Sequence, residues 1–212
     1  MTRVKICGIT DLEDAHQAVE LGAWALGMIF WPGSPRACPV EQAEAIGAQL
    51  HRRVELTGVF VNATLDEVAA TADLCRFTLL QLHGDEGPAY CQEAARRTGC
   101  RVMKAARVRD AAQVQALRAF HTDLHLLDAH SPSAPGGTGE SFDWELARLH
   151  SGTPPVVLSG GLTPDNVGQA IATASPFAVD TASGTEAEPG RKDPAKVTAF
   201  FRAVEAADQV AV

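Results

Sequence analysis

The sequence predicts an α/β protein, a single-domain (β/α)8 TIM barrel with a closed, parallel, eight-stranded sheet. Three observations predict it. Short β-rich apolar runs alternate with amphipathic helical runs along all 212 residues. The centres of the strand runs recur roughly every 22 to 31 residues, the spacing of one strand–helix unit. No linker, low-complexity stretch or composition break divides the chain, and eight units of this length fit the lower end of the size range for such barrels. A doubly wound open sheet is the runner-up, but the first turn after a strand (Cys7, Gly8, Ile9, Thr10) lacks a dinucleotide-binding glycine fingerprint.

Strands are expected at Arg3–Gly8, Trp24–Phe30, Val54–Val61, Phe77–His83, Arg101–Ala106, Leu124–Ala129, Pro155–Ser159 and Phe177–Thr181. Several are near-continuous apolar segments, which suits parallel strands covered on both faces. Helix starts are signalled by capping boxes at Thr10 with Glu13 and at Thr64 with Glu67. Thr163–Pro164 and Asp193–Pro194 each offer an N-cap followed by proline at the first helical position. The Pro/Gly/Ser-rich stretch from Ser131 to Ser141 is too short for a linker and reads as an active-site loop.

Composition bounds the partners. With 46% hydrophobic and 21% charged residues, the chain has the balance of an ordinary globular protein. A formal charge of -8 argues against nucleic acid or an anionic membrane as partner, since both need a basic surface. A phosphate is still admissible where backbone N–H groups or one local cation receive it. The five cysteines (Cys7, Cys38, Cys75, Cys91, Cys100) are odd in number and contain no C-x-x-C pair, so neither a disulfide framework nor a structural zinc site is expected. The N-terminus carries no signal-peptide pattern and no apolar run suffices to span a bilayer. A cytoplasmic protein, monomeric or homodimeric, is expected.

In a barrel the chemistry sits at the C-terminal strand ends and in the loops that follow. Four strand ends carry polar residues: Cys7, His83, Asp128 and Asp180. Taken singly, such a cysteine is ordinarily a small buried hydrophobe, such aspartates ordinarily cap loops, and such a histidine is ordinarily structural. Four converging on one rim are hard to explain as packing. Glycine-rich loops follow the sixth and seventh strands, with Gly136, Gly137, Thr138 and Gly139, then Gly160 and Gly161; Ser183 and Gly184 follow the eighth. Glycine lets the backbone approach a ligand closely, and this is where barrels frequently hold phosphate. His121, His125 and His130 with Asp123 and Asp128 imitate a metal cluster. Strand alternation sends His125 and Asp128 to opposite faces, so no metal site is expected there.

These residues together resemble the phosphoribosylanthranilate isomerase family. The matching motifs are KICGIT at Lys5–Thr10, F-x-x-x-S-x-R ending at Arg36, GVFVN at Gly58–Asn62 and QLHG at Gln81–Gly84. They continue with LLD ending at Asp128, GGTG and FDW within Gly136–Trp144, LSGGL at Leu158–Leu162, FAVD ending at Asp180 and PG-x-KD at Pro189–Asp193. The resemblance implies a cofactor-free Amadori rearrangement of a phosphorylated aminoaldose in tryptophan biosynthesis. It makes Cys7 the general base and Asp128 the general acid. It sets Arg36 against the anthranilate carboxylate, and His83 and Asp180 near the ribose and the reacting atoms. Gly137, Gly160, Gly161, Ser183 and Gly184 are then the phosphate-binding residues. The acid must be a carboxyl group still protonated at neutral pH, which an apolar strand end favours; the base must be a thiolate, which a nearby cation or helix dipole favours. Many relatives carry two consecutive serines where this chain has Ala182 and Ser183, so one phosphate-side hydroxyl is missing.

Three alternatives are weighed against this reading. A dual-substrate relative that also serves histidine biosynthesis uses an aspartate where this chain has Cys7. A metal-dependent epimerase needs His and Asp ligands from several strands. A binding barrel without turnover has no use for Cys7 and Asp128. One further expectation concerns Lys5, which alternation places on the same face as Cys7, one layer deeper. If that face is the barrel interior, the ammonium needs an acidic partner on a neighbouring strand, and its charge favours the Cys7 thiolate.

Overall fold

A computed structural model describes residues 1–129 and 144–210. Eight parallel strands form a closed barrel in sequence order: β1 (Arg3–Cys7), β2 (Ala25–Ile29), β3 (Glu55–Phe60), β4 (Leu79–Leu82), β5 (Arg101–Val108), β6 (Leu124–Ala129), β7 (Val156–Leu158) and β8 (Ala178–Thr181). Closure is direct, with Lys5 of β1 in register with Asp180 of β8. The expected (β/α)8 barrel is therefore the fold, and every expected strand is present.

Helices α1 (Leu12–Glu20), α2 (Val40–Leu50), α3 (Leu65–Cys75), α4 (Pro88–Thr98) and α5 (Ala111–Ala116) follow the first five strands. Helices α6 (Val167–Ala174) and α7 (Pro194–Val210) follow β7 and β8. Between β6 and β7 the described residues form a 3-10 helix at Trp144–Leu149 rather than an α-helix. Of the expected helix starts, Thr64 and Glu67 form the reciprocal capping box, and Asp193 caps α7 by accepting from the backbone N–H groups of Ala195 and Lys196. Two need correcting. Asp11, not Thr10, caps α1, accepting from Asp14 N at 2.9 Å, because the Thr10 hydroxyl is drawn to the carbonyl of Gly190. Thr163 opens a turn instead of a helix: the Asn166 side chain bonds Thr163 N and the Gly161 carbonyl, and α6 begins after it.

Alternation divides the apolar residues into two layers. Outward-facing Ile6, Leu26, Leu56 and Leu80 pack under the helices with residues such as Phe200, all fully buried. Inward-facing Leu79, Met103, Ala105, Leu124, Leu126, Val157 and Ala178 plug the barrel from below, closed off by Trp24 and Phe177 at a ring distance of 5.4 Å. A truncation such as Leu126→Ala in this plug carries the usual cost of about 2–5 kcal/mol for a buried leucine. The apolar plug fills the lower barrel and leaves the inward positions near the C-terminal strand ends for polar side chains.

Candidate active site

Those inward positions line one cavity at the C-terminal mouth, with about 850 Å³ of empty space including its opening to solvent. Cys7, Arg36, His83, Asp128 and Asp180 all line it, as do Gly160, Gly161 and Ser183. Gly160 and Gly161 hold φ values of +88° and +64°, left-handed backbone that glycine adopts without strain. Gly184 stands behind the wall: a Cβ there would meet the Leu162 carbonyl at 1.9 Å, so its glycine permits close backbone packing. Gly137 and the Ser131–Ser141 stretch lie outside the described residues.

The floor of the cavity is a buried charge pair. Lys5 Nζ donates to Asp180 Oδ1 at 2.9 Å, and Ser159 Oγ donates to Asp180 Oδ2 at 3.1 Å. Burial pulls the Lys5 ammonium down, but its neighbours, the Asp180 carboxylate first, outweigh it and leave Lys5 above its ordinary value. The expected acidic partner on a neighbouring strand is thus Asp180. Gly27 on β2 makes room for the group, since a Cβ there would lie 2.7 Å from Cys7 Sγ and 2.9 Å from Lys5 Nζ.

Cys7 corrects one expectation. Burial pushes its thiol up, and the opposing pull of Lys5 does not overcome it while the Asp180 charge adds to the rise. A cation does lie beside the thiol, as expected, but the site encloses Cys7 and pairs that cation with Asp180. The enclosure therefore favours the Cys7 thiol over the thiolate.

Across the mouth, His83 Nε2 lies 3.2 Å from Asp128 Oδ2, and His83 Nδ1 lies 3.0 Å from Gln81 Nε2. Asp128 is buried, in register with the exposed Arg107 of β5, which also lines the cavity. Arg36 reaches the site from the loop after β2. Its Nε lies 2.8 and 2.9 Å from the two carboxylate oxygens of Glu186, and its Nη2 lies 2.8 Å from Glu186 Oε2. Glu186 opens a small hairpin, β9 (Glu186–Glu188) with β10 (Arg191–Lys192), and Lys192 Nζ lies 3.1 Å from Glu186 Oε1. Burial opposes ionisation of Glu186, yet the hydrogen bond from Arg36 and the charges of Lys192 and Arg36 hold its carboxyl below the ordinary value. The PG-x-KD segment therefore serves as the scaffold that fixes Arg36.

Sequence reading missed Glu186, Gln81, Gly27 and Arg107. Gln81 sits two residues before His83 in an apolar strand, an alternation signal that could have found it. Glu186 is 150 positions from Arg36, and no local pattern announces that pairing. Alternation separates His125 from Asp128 as expected, and His130 lies outside the described residues. Asp128 faces the cavity, while His125 packs outside the barrel with its Nδ1 2.8 Å from His150 Nε2. No metal-holding group of three or more His, Cys, Asp or Glu occurs among the described residues.

The sequence and the fold agree with known proteins. The family model of N-(5′-phosphoribosyl)anthranilate isomerase matches residues 4–203. A relative from Citrifermentans bemidjiense, named N-(5′-phosphoribosyl)anthranilate isomerase, is 54% identical over 93% of this chain and 94% of its own. The crystal structure of the phosphoribosyl anthranilate isomerase of Thermus thermophilus superposes with a TM-score of 0.88 at 37% identity, covering 97% of this chain and 99% of that one. A phosphoribosyl anthranilate isomerase solved with reduced 1-(o-carboxyphenylamino)-1-deoxyribulose 5-phosphate superposes with a TM-score of 0.83 at 38% identity, covering 97% and 100%. With matches over essentially its whole length, the chain belongs to the N-(5′-phosphoribosyl)anthranilate isomerase family, isomerases of tryptophan biosynthesis built on a TIM barrel.

Proposed function

We propose that the chain converts N-(5-phosphoribosyl)anthranilate to 1-(2-carboxyphenylamino)-1-deoxyribulose 5-phosphate, with Asp128 as general acid and Cys7 as general base. The observation that carries the reading is that a carboxyl group and a thiol, each on a strand end, line one cavity that also holds an arginine fixed by a fork of hydrogen bonds. Asp128 gives a proton to the furanose ring oxygen and the ring opens to an iminium. Cys7 then removes the C2′ proton, and the resulting enolamine tautomerises to the ketone. The iminium is the electron sink, so the reading needs no cofactor and no metal.

The raised thiol fits this order of events. A thiol held up by burial is a strong base once ionised, and the cationic iminium would join Lys5 in opposing the burial penalty when the thiolate is needed. Arg36, whose orientation is fixed by Glu186, receives the anthranilate carboxylate as a planar donor fork. The backbone at Gly160 and Gly161, with Ser183, receives the phosphate. Arg107 at the rim attracts the anionic substrate.

The test is direct. Incubation of the protein with phosphoribosylanthranilate should extinguish the substrate's fluorescence, with EDTA present and absent alike. Loss of turnover in EDTA would favour the metal-dependent alternative, turnover of the histidine-pathway aminoaldose would favour the dual-substrate one, and no turnover at all would leave a binding barrel.

A further inference from the structure

We infer that Gln81 is a positioning residue for the acid step, fixing through one hydrogen bond which nitrogen of His83 carries the ring proton. The inference rests on the proposed reading of Asp128 as the acid. Gln81 and His83 lie two positions apart at the end of β4 and share its inward face; Gln81 is only 2% exposed. The side-chain amide makes a single hydrogen bond among the described residues, from Nε2 to His83 Nδ1 at 3.0 Å, while its Oε1 is buried without a partner there.

The polarity of that bond has a consequence. An amide NH2 only donates, so His83 Nδ1 accepts and has no proton of its own. The ring is therefore neutral, its proton sits on Nε2, and that proton points at Asp128 Oδ2 at 3.2 Å. A neutral donor of this kind suits a carboxylic acid about to give up its proton. The Nε2–H bond strengthens as negative charge develops on the carboxylate, and the imidazole gains and loses no proton. A doubly protonated ring in the same place would pair with an ionised Asp128 and hold it in the state that has no proton to give. The charged and titratable groups that share the cavity with His83 are Cys7 from β1, Arg36 from the loop after β2, Arg107 from β5, Asp128 from β6 and Asp180 from β8. None of these is hydrogen-bonded to Nδ1, where Gln81 is the partner.

Gln81→Glu tests the inference by reversing one hydrogen bond at nearly constant shape, since a carboxylate accepts where the amide donated. The long-range 15N–1H spectrum of histidine-labelled full-length protein at neutral pH should show His83 protonated on Nε2 alone in the wild type and on Nδ1 in Gln81→Glu. The variant's kcat for phosphoribosylanthranilate should fall by at least about tenfold, with KM within about twofold, as expected of a residue that acts on the acid without binding substrate. Should Gln81→Glu not fold, Gln81→Met carries the same test: mixed His83 tautomers with a lowered kcat support the inference. A wild-type ring protonated on Nδ1 overturns it, as does a folded variant with wild-type kcat. Absence of turnover by the wild type overturns the functional reading itself, whereas an active wild type matched by an equally active variant overturns this inference alone.

Discussion

Lys5 Nζ lies 2.9 Å from Asp180 Oδ1 across the seam where β1 meets β8, and no part of the lysine side chain reaches solvent. The pair closes the barrel beneath Cys7 and is the nearest source of positive charge for the thiol. Lys5→Met keeps approximate volume but strands the Asp180 carboxylate in the barrel. Removing one partner of a buried pair costs about 3–5 kcal/mol, so the urea midpoint should fall accordingly. The Cys7 thiol should rise further, because its main opposing influence is gone and the Asp180 charge is unmasked. Part of any lost rate should then return at higher pH. Unchanged stability together with an unchanged thiol titration would show that the ion pair does not form in solution.

Cys7→Ala and Asp128→Asn test the proposed proton transfers. Each should lower kcat by about 10²–10⁴, the usual scale for a general acid or base. Both side chains face the cavity rather than the apolar plug, so thermal melting should stay close to that of the wild type. Wild-type turnover by either folded variant removes that residue from the mechanism.

Most of the fold was legible because parallel strands buried on both faces write themselves as apolar runs. The misreadings sit where a polar side chain or a distant partner intervenes. Expected to end at Ala106, β5 runs on to Val108 because exposed Arg107 pairs in register with Asp128, and a charged side chain hides that last turn of strand. The first strand stops at Cys7 because Gly8 turns to φ +73°. Thr10 loses the cap of α1 to Asp11 because its hydroxyl is engaged by Gly190, 180 positions away. The polar strand ends were legible as interruptions of apolar runs. The state of the Cys7 thiol was not, since a nearby lysine can be inferred from alternation but the enclosure that outweighs it exists only once the barrel closes.

The grip of Glu186 on Arg36 separates binding from catalysis. Arg36→Lys replaces a planar fork by a point charge and should raise KM by roughly tenfold, the worth of about 1.4 kcal/mol, with a smaller effect on kcat. Glu186→Gln should raise KM in the same direction although Glu186 does not line the cavity, because the guanidinium loses the carboxylate that aims it. It should also lower stability, since Lys192 and Arg36 are then buried near each other without their shared counter-ion. Kinetics unchanged in both variants would return Arg36 to a structural role.

The last prediction concerns acid stability and lies outside the site. His125 and His150 form a one-way relay: the Phe120 carbonyl accepts from His125 Nε2, His125 Nδ1 accepts from His150 Nε2, and His150 Nδ1 accepts from Gly152 N. Every ring nitrogen is used, and the pattern works only with both rings neutral. Burial, reinforced by the neighbouring His150, lowers the His125 pKa from 6.5 to about 4. Above pH 6.5 the folded and unfolded chains are both neutral at this position and it has no influence on stability. Between pH 6.5 and 4 the unfolded chain binds a proton that the folded chain refuses, so stability falls as the pH drops. Between pH 7 and pH 5 this one group should remove about 2 kcal/mol. His125→Phe keeps a ring in the same space and removes the titration. The variant should be less stable than the wild type at pH 7, through its lost hydrogen bonds, yet its urea midpoint should move less between pH 7 and pH 5. Equal pH dependence in the two proteins would mean that the acid sensitivity arises elsewhere.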